Sequence, residues 1–178
     1  MFLDQIDGFG ITLREPEQGE GVTGNDPTIY FKTMDFKLHQ LSASNLASIF
    51  NAAYIDAEAP DDSSFCAVRG EILLMVWASE EQNIIRFYNQ ISAPEGMKEE
   101  DVKKLVSSFN ENISLTKAYL TGKKDDDGDF IIAFEYDYVL LKHDSISPKT
   151  LIQLTRMVEN AVQASHQHYQ NLFAAQAQ

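Results

Sequence analysis

From residue 42 onward, apolar residues recur at two spacings that separate helices from strands. Leu46, Ile49, Phe50 and Ala53 fall three and four apart, which predicts a first helix over 42–53 with Ser42 or Ser44 supplying the N-cap oxygen. Residues 65–78 read as two strands turning at Arg69 and Gly70, and residues 83–91 as a third after the polar turn 79–82. Their short connections predict an antiparallel meander. Pro94 and Gly96 break the chain before a second helix over 98–112, where Val102, Leu105, Val106 and Phe109 form one stripe behind an acidic first turn. Two further strands, 115–121 and 129–141, flank the turn 123–128 and predict a hairpin.

The closing helix carries the clearest signal. Ser147 can cap it, Pro148 sits where no amide hydrogen is needed, and Leu151, Leu154, Val158, Ala161, Val162, Ser165, Tyr169 and Leu172 share one side of a 3.6-residue wheel. The order is helix, three strands, helix, two strands, helix. Runs of strands rather than alternating crossovers give an α+β class with an antiparallel sheet. Residues 1–40 read as an irregular extension punctuated by glycines, with short strand candidates at 11–13 and 28–32. The domain then spans 41–173, and the Ala- and Gln-rich residues 174–178 form a tail expected to fray.

Two strands are apolar on both faces. Ile72, Leu74 and Val76 face one way and Leu73, Met75 and Trp77 the other, while Phe130, Ile132 and Phe134 oppose Ile131, Ala133 and Val139. A sheet wet on one side alternates with polar residues, so something is expected to cover the second face. Leu73, Met75 and Trp77 are therefore the candidate partner-binding residues. A second subunit in a homodimer, a client polypeptide, or the extension folding back are the candidate covers.

Composition narrows the functional classes. The chain has 178 residues, 44% of them hydrophobic, which suits one domain with a real core. Its formal net charge of -13 repels phosphate backbones and anionic lipid, so neither nucleic acid nor membrane is an expected partner, while basic polypeptides are attracted. One cysteine and no secretory hydrophobic region after Met1 suit a cytoplasmic location.

Candidate chemistry is sparse. Asp125, Asp126, Asp127 and Asp129 invite a calcium reading, but Gly128 comes fourth and Tyr136 twelfth where an EF-hand needs its glycine sixth and a glutamate last. His166 and His168 are two apart on a helix and cannot grip one metal as an i, i+4 pair does. Cys66 lies in a strand with no companion that would activate a thiol, so a core position is expected. No nucleophile elbow, phosphate loop or dinucleotide turn is present, so no catalytic residue, metal or cofactor is assigned. Glu135, Asp137 and His143 are the acid-base candidates should the protein be an enzyme or small-molecule sensor with a cleft between sheet and helices.

The string NENISLTKAYLTGKKDDDGDFIIAFEYDYVLL, at residues 110–141, resembles the YbjN family of proposed bacterial sensory-transduction regulators. The likeness extends over about 40–173: an initial helix, a strand meander, a helix ending in an asparagine-rich corner, then Lys117, Ala118 and Tyr119, an acidic turn, a long strand and a closing helix. That family is similar in turn to type III secretion chaperones, which are small, acidic, dimeric proteins that hold other polypeptides. The resemblance implies a chaperone-like or regulatory interaction module rather than an enzyme. A dedicated secretion chaperone for one client is a further expectation of the same kind.

Overall fold

A computed structural model describes the backbone of residues 35–176 and the side chains of residues 35–170; the strand candidates at 11–13 and 28–32 lie outside these, as does the side chain of Leu172. A single 3-10 turn, Leu38–Gln40, leads into α1 (Ala43–Ala52). There follow β1 (Asp56–Glu58), β2 (Cys66–Arg69), β3 (Leu73–Ser79), β4 (Ile84–Ser92), α2 (Glu99–Asn112), β5 (Lys117–Lys124), β6 (Phe130–Val139) and α3 (Pro148–Gln176). The strands form one antiparallel sheet in the order β1-β2-β3-β4-β6-β5. The α+β class and the expected element order hold, with one addition: β1 precedes the meander, so four strands rather than three separate the first two helices.

Local chemistry sets each helix. Ser42 Oγ accepts from the Asn45 amide at 3.2 Å and starts α1. Glu99, Glu100 and Asp101 place negative charge at the amide end of α2. Ser147 Oγ accepts from the Thr150 amide at 3.0 Å, and Pro148 opens α3.

All three helices pack on one side of the sheet, α1 over β1 to β3, α2 over β5 and β6, and α3 against α2 and β4. The inner face contributes Cys66, Val68, Leu74, Val76, Ile85, Phe87, Ile132 and Phe134, all buried. The helices contribute Leu46, Ile49 and Phe50, then Val102, Leu105 and Phe109, then Leu151, Leu154, Val158 and Val162. Phe109 of α2 meets Phe134 of β6 with ring centroids 5.4 Å apart. Each such enclosed side chain stabilises the fold by about 1.5–3 kcal/mol relative to exposure. The core reaches upstream of residue 41: Phe36 and Leu38 are part of it, and Phe36 exchanges backbone hydrogen bonds of 2.8 Å with Ile146.

Both edge strands are held by an asparagine from the helix before them. Asn51 Nδ2 donates to the Ala57 carbonyl at 2.8 Å while its Oδ1 accepts from the Ala57 amide at 3.2 Å. Asn110 does the same to Ala118 at 2.9 and 2.8 Å. A single side-chain amide thus satisfies both backbone groups that one residue of each edge strand would otherwise leave unpaired.

A third tie fastens the turn between β2 and β3 to α3. Glu159 is buried, accepts from the Glu71 amide at 2.9 Å and from Arg156 at 2.7 Å, and lies against Gly70. A Cβ on Gly70 would stand 2.0 Å from Glu159 Oε1, so the turn needs glycine for the close approach of the carboxylate.

Candidate interaction face

The side of the sheet away from the helices is assembled by register. Met75 pairs across with Tyr88, Tyr88 with Glu135, and Glu135 with Lys117, while Trp77 pairs with Arg86 and Arg86 with Asp137. Because directly paired residues share a face, these side chains form two adjacent rows on the outer surface.

Arg86 is the centre of this surface. Its Nε and Nη2 donate to the two carboxylate oxygens of Asp137, each at 2.6 Å, and Nη2 lies 3.4 Å from Glu135. The guanidinium carbon sits 5.8 Å from the centre of the Trp77 ring, whose other neighbour, Tyr88, is 6.1 Å away between centroids. Tyr119 Oη donates to Glu135 at 3.1 Å. The hydrogen bonds to Asp137 push Arg86 above its ordinary range and keep it cationic. Burial first, then the Glu135 charge and its hydrogen bond, push the Tyr119 phenol up to about 12. The result is a bidentate ion pair flanked by aromatic rings, a rigid arrangement suited to contact rather than to proton transfer.

The expected partner-binding residues all lie here. Leu73 is 47% exposed, and Met75 and Trp77 are half-buried. The expectation of a continuous apolar second face needs correcting. Arg86, Tyr88 and Gln90 from β4, with Glu135 and Asp137 from β6, interrupt it, so the apolar two-sidedness of β3 does not spread to its neighbours. Of the β6 residues, Ala133 is enclosed between Gln90 and Tyr119, Ile131 is half-buried and Val139 is 62% exposed. The alternation Arg86, Tyr88, Gln90 was visible in the chain and marks the outward positions of β4.

The acid-base candidates do not converge. Glu135 and Asp137 are engaged by Arg86, whereas His143 is exposed in the loop after β6. In the acidic turn, Asp125 Oδ1 accepts from the Asp127 and Asp129 amides at 3.1 and 2.9 Å, and Ser92 donates to its other oxygen. These bonds, Ser92 first, hold the Asp125 carboxyl below its usual range, and they make it part of the turn. His168 meets Ser108 Oγ at 2.8 Å while His166 stands edge-on to Phe134, so the two imidazoles serve different neighbours. Among the described residues, no group of three or more His, Cys, Asp or Glu side chains is placed to hold a metal. No helix among them is long and apolar enough to cross a membrane. Cys66 is fully buried, and burial, with the Glu58 charge adding to it, pushes its thiol up to about 12.

An open depression of about 440 Å³ adjoins the outer face where β5 begins, lined by Asn110, residues 113–116, Lys117 and Glu135 to Asp137. It is too open to enclose a small molecule in the way catalytic clefts do.

No family model matches the sequence, and no curated protein matches it either. In three dimensions the chain is similar to the crystal structure of YbjN, a proposed transcription regulator from E. coli, with a TM-score of 0.54 and 10% sequence identity. The superposition covers 68% of this chain and 86% of that one. At that identity the likeness concerns architecture alone, and it establishes that the chain has a YbjN-like α+β fold.

Proposed function

We propose that the protein is a non-catalytic, cytoplasmic interaction module, chaperone-like or regulatory, that binds a polypeptide through the outer face of its sheet. The observation that carries this reading is Trp77, held between Arg86 and Tyr88 and bordered by Leu73 and Met75, on the side of the sheet that none of the three helices covers. Tryptophan, tyrosine and arginine are the residue types that dominate binding energy at protein interfaces. Here Arg86 arrives already oriented by the Asp137 and Glu135 carboxylates and lies beside the Trp77 ring, which lowers the entropy cost of docking. The likeness to YbjN supports a regulatory setting without naming a partner.

The test is affinity capture with full-length protein alongside the Trp77→Ala and Leu73→Glu variants. Wild type is expected to retain a stoichiometric polypeptide that both variants lose, with melting temperatures within a few degrees of wild type. Light scattering across a dilution series tells whether that polypeptide is a second copy of this chain. Undiminished capture by both variants would remove the sheet face from the reading.

A further inference from the structure

We infer that the free edge of β6 beside Lys117 accepts an extended, basic polypeptide segment as an added strand. The inference rests on the reading of the protein as a polypeptide binder and gives it a second, edge-on contact.

The hydrogen-bond parity of β6 supplies the first step. Asn110 engages both backbone groups of Ala118, so Ala118 turns them away from β6, and its pairing with Phe134 is one without backbone hydrogen bonds. Even-numbered residues of β6 therefore bond toward β4. The 2.9 Å bond from the Leu140 amide to the Asn83 carbonyl, and the 2.7 Å bond from the Ala93 amide to the Phe130 carbonyl, continue the same parity. Odd-numbered residues bond toward β5. That neighbour begins at Lys117, opposite Glu135. Beyond it, Asp137 and Val139 aim an N–H and a C=O each into space that β5 does not occupy, and no turn or loop bond among the described residues reaches them there.

The shape of the opening selects the occupant. Residues 113–116, which would have continued β5 along β6, turn off toward α2 and leave the depression of about 440 Å³ between themselves and the strand. That segment and the start of β5 border the opening, and the two residues left free, Asp137 and Val139, suit a short extended segment. A second copy of this chain carries the same net charge of -13 and is repelled. Four backbone groups in a row match the repeat of an incoming strand. Side chains opposite Asp137 and Val139 would stand on the outer face beside the Glu135 and Asp137 carboxylates, and Val139 and Leu141, 62% and 63% exposed, offer apolar contact. A net charge of -13 favours a basic segment over an acidic one.

The experiment titrates isotopically labelled full-length protein with the peptide acetyl-Val-Lys-Val-Lys-Val-amide, and with the same peptide N-methylated at both lysine nitrogens. The amide signals of Asp137 and Val139 are expected to shift and to exchange with solvent more slowly. N-methylation is expected to weaken binding about tenfold or more, because it removes the main-chain donors while keeping the charge. Equal binding of the two peptides would reduce the contact to charge attraction and overturn the inference. Protection of both amides before any peptide is added would also overturn it, since the edge would already be filled. Shifts confined to Leu73, Met75 and Trp77 would overturn the edge assignment and leave the sheet-face reading standing. If the peptide binds nowhere, the edge assignment fails, and the sheet face is judged by the Trp77 capture alone.

Discussion

The ring of His166 stands edge-on to Phe134, 6.4 Å between centroids, and its Nε2 is enclosed without a hydrogen-bond partner among the described residues. Burial lowers its pKa below the ordinary 6.5, so the folded protein binds a proton there less readily than the unfolded chain does. The sign follows directly: the contribution is complete above about pH 6.5 and is lost as pH falls through the lower folded value. Urea denaturation at pH 7.5 and pH 5.5 is expected to show lower stability at the acidic pH, and His166→Phe to show a smaller difference between the two. An unchanged difference in the variant would mean that other groups carry the effect. Individual residues were unevenly legible in the sequence. The outward set Leu73, Met75 and Trp77 followed from strand alternation alone, and the core position of Cys66 followed from its lack of activating neighbours. Arg86 was not singled out, because its importance lies in Asp137, Glu135 and Trp77, which only strand pairing brings beside it.

At the scale of elements, the helix starts and the ends of α1 and α2 were read within a residue by caps and apolar stripes, both local signals, whereas α3 runs to Gln176, three residues into the tail expected to fray after 173. Strands were harder. β1 escaped notice because Asp56, Ala57 and Glu58 have one apolar residue among them, and what makes them a strand is Asn51 reaching back from α1. β5 begins at Lys117 rather than 115, since Asn110 fixes Ala118 at the edge while residues 113–116 are used to leave the helix. Those asparagines have a measurable weight. Asn110→Ala leaves the Ala118 amide and carbonyl without partners in a part-buried setting, which costs about 1–3 kcal/mol. A drop of that size in urea denaturation, with β5 amides exchanging faster than those of β4, is the expected outcome. Unchanged stability would show that water satisfies the strand equally well.

For the molecule as a whole, the meander and the hairpin were accessible because short connections leave few alternatives, and the YbjN-like architecture agrees with the order of elements, whereas the pairing of β4 with β6 that joins them is long-range and was not read. The character of the second sheet face was not accessible, because it depends on which rows of three different strands lie side by side. The charge of -13 belongs to this scale too. If the partner is basic, association should slow steeply between about 0.1 and 1 M salt, as the Debye length contracts from about 10 to 3 Å, while dissociation changes little. Stopped-flow association rates across that range provide the measurement, and a salt-independent rate would point to an apolar, uncharged partner.

Asn51 and Asn110, sitting at opposite margins of the sheet, also decide how the protein behaves when it is crowded. A sheet with open margins can lengthen without limit, one copy templating the next, and the product is a fibre. Here one residue of each outermost strand, Ala57 in β1 and Ala118 near the start of β5, already has both backbone groups occupied by its own chain, which interrupts the row a further copy would need, so copies brought together have face-to-face contact as the easier route. Faces are finite and close on themselves. Raising the concentration therefore multiplies discrete complexes instead of extending a filament.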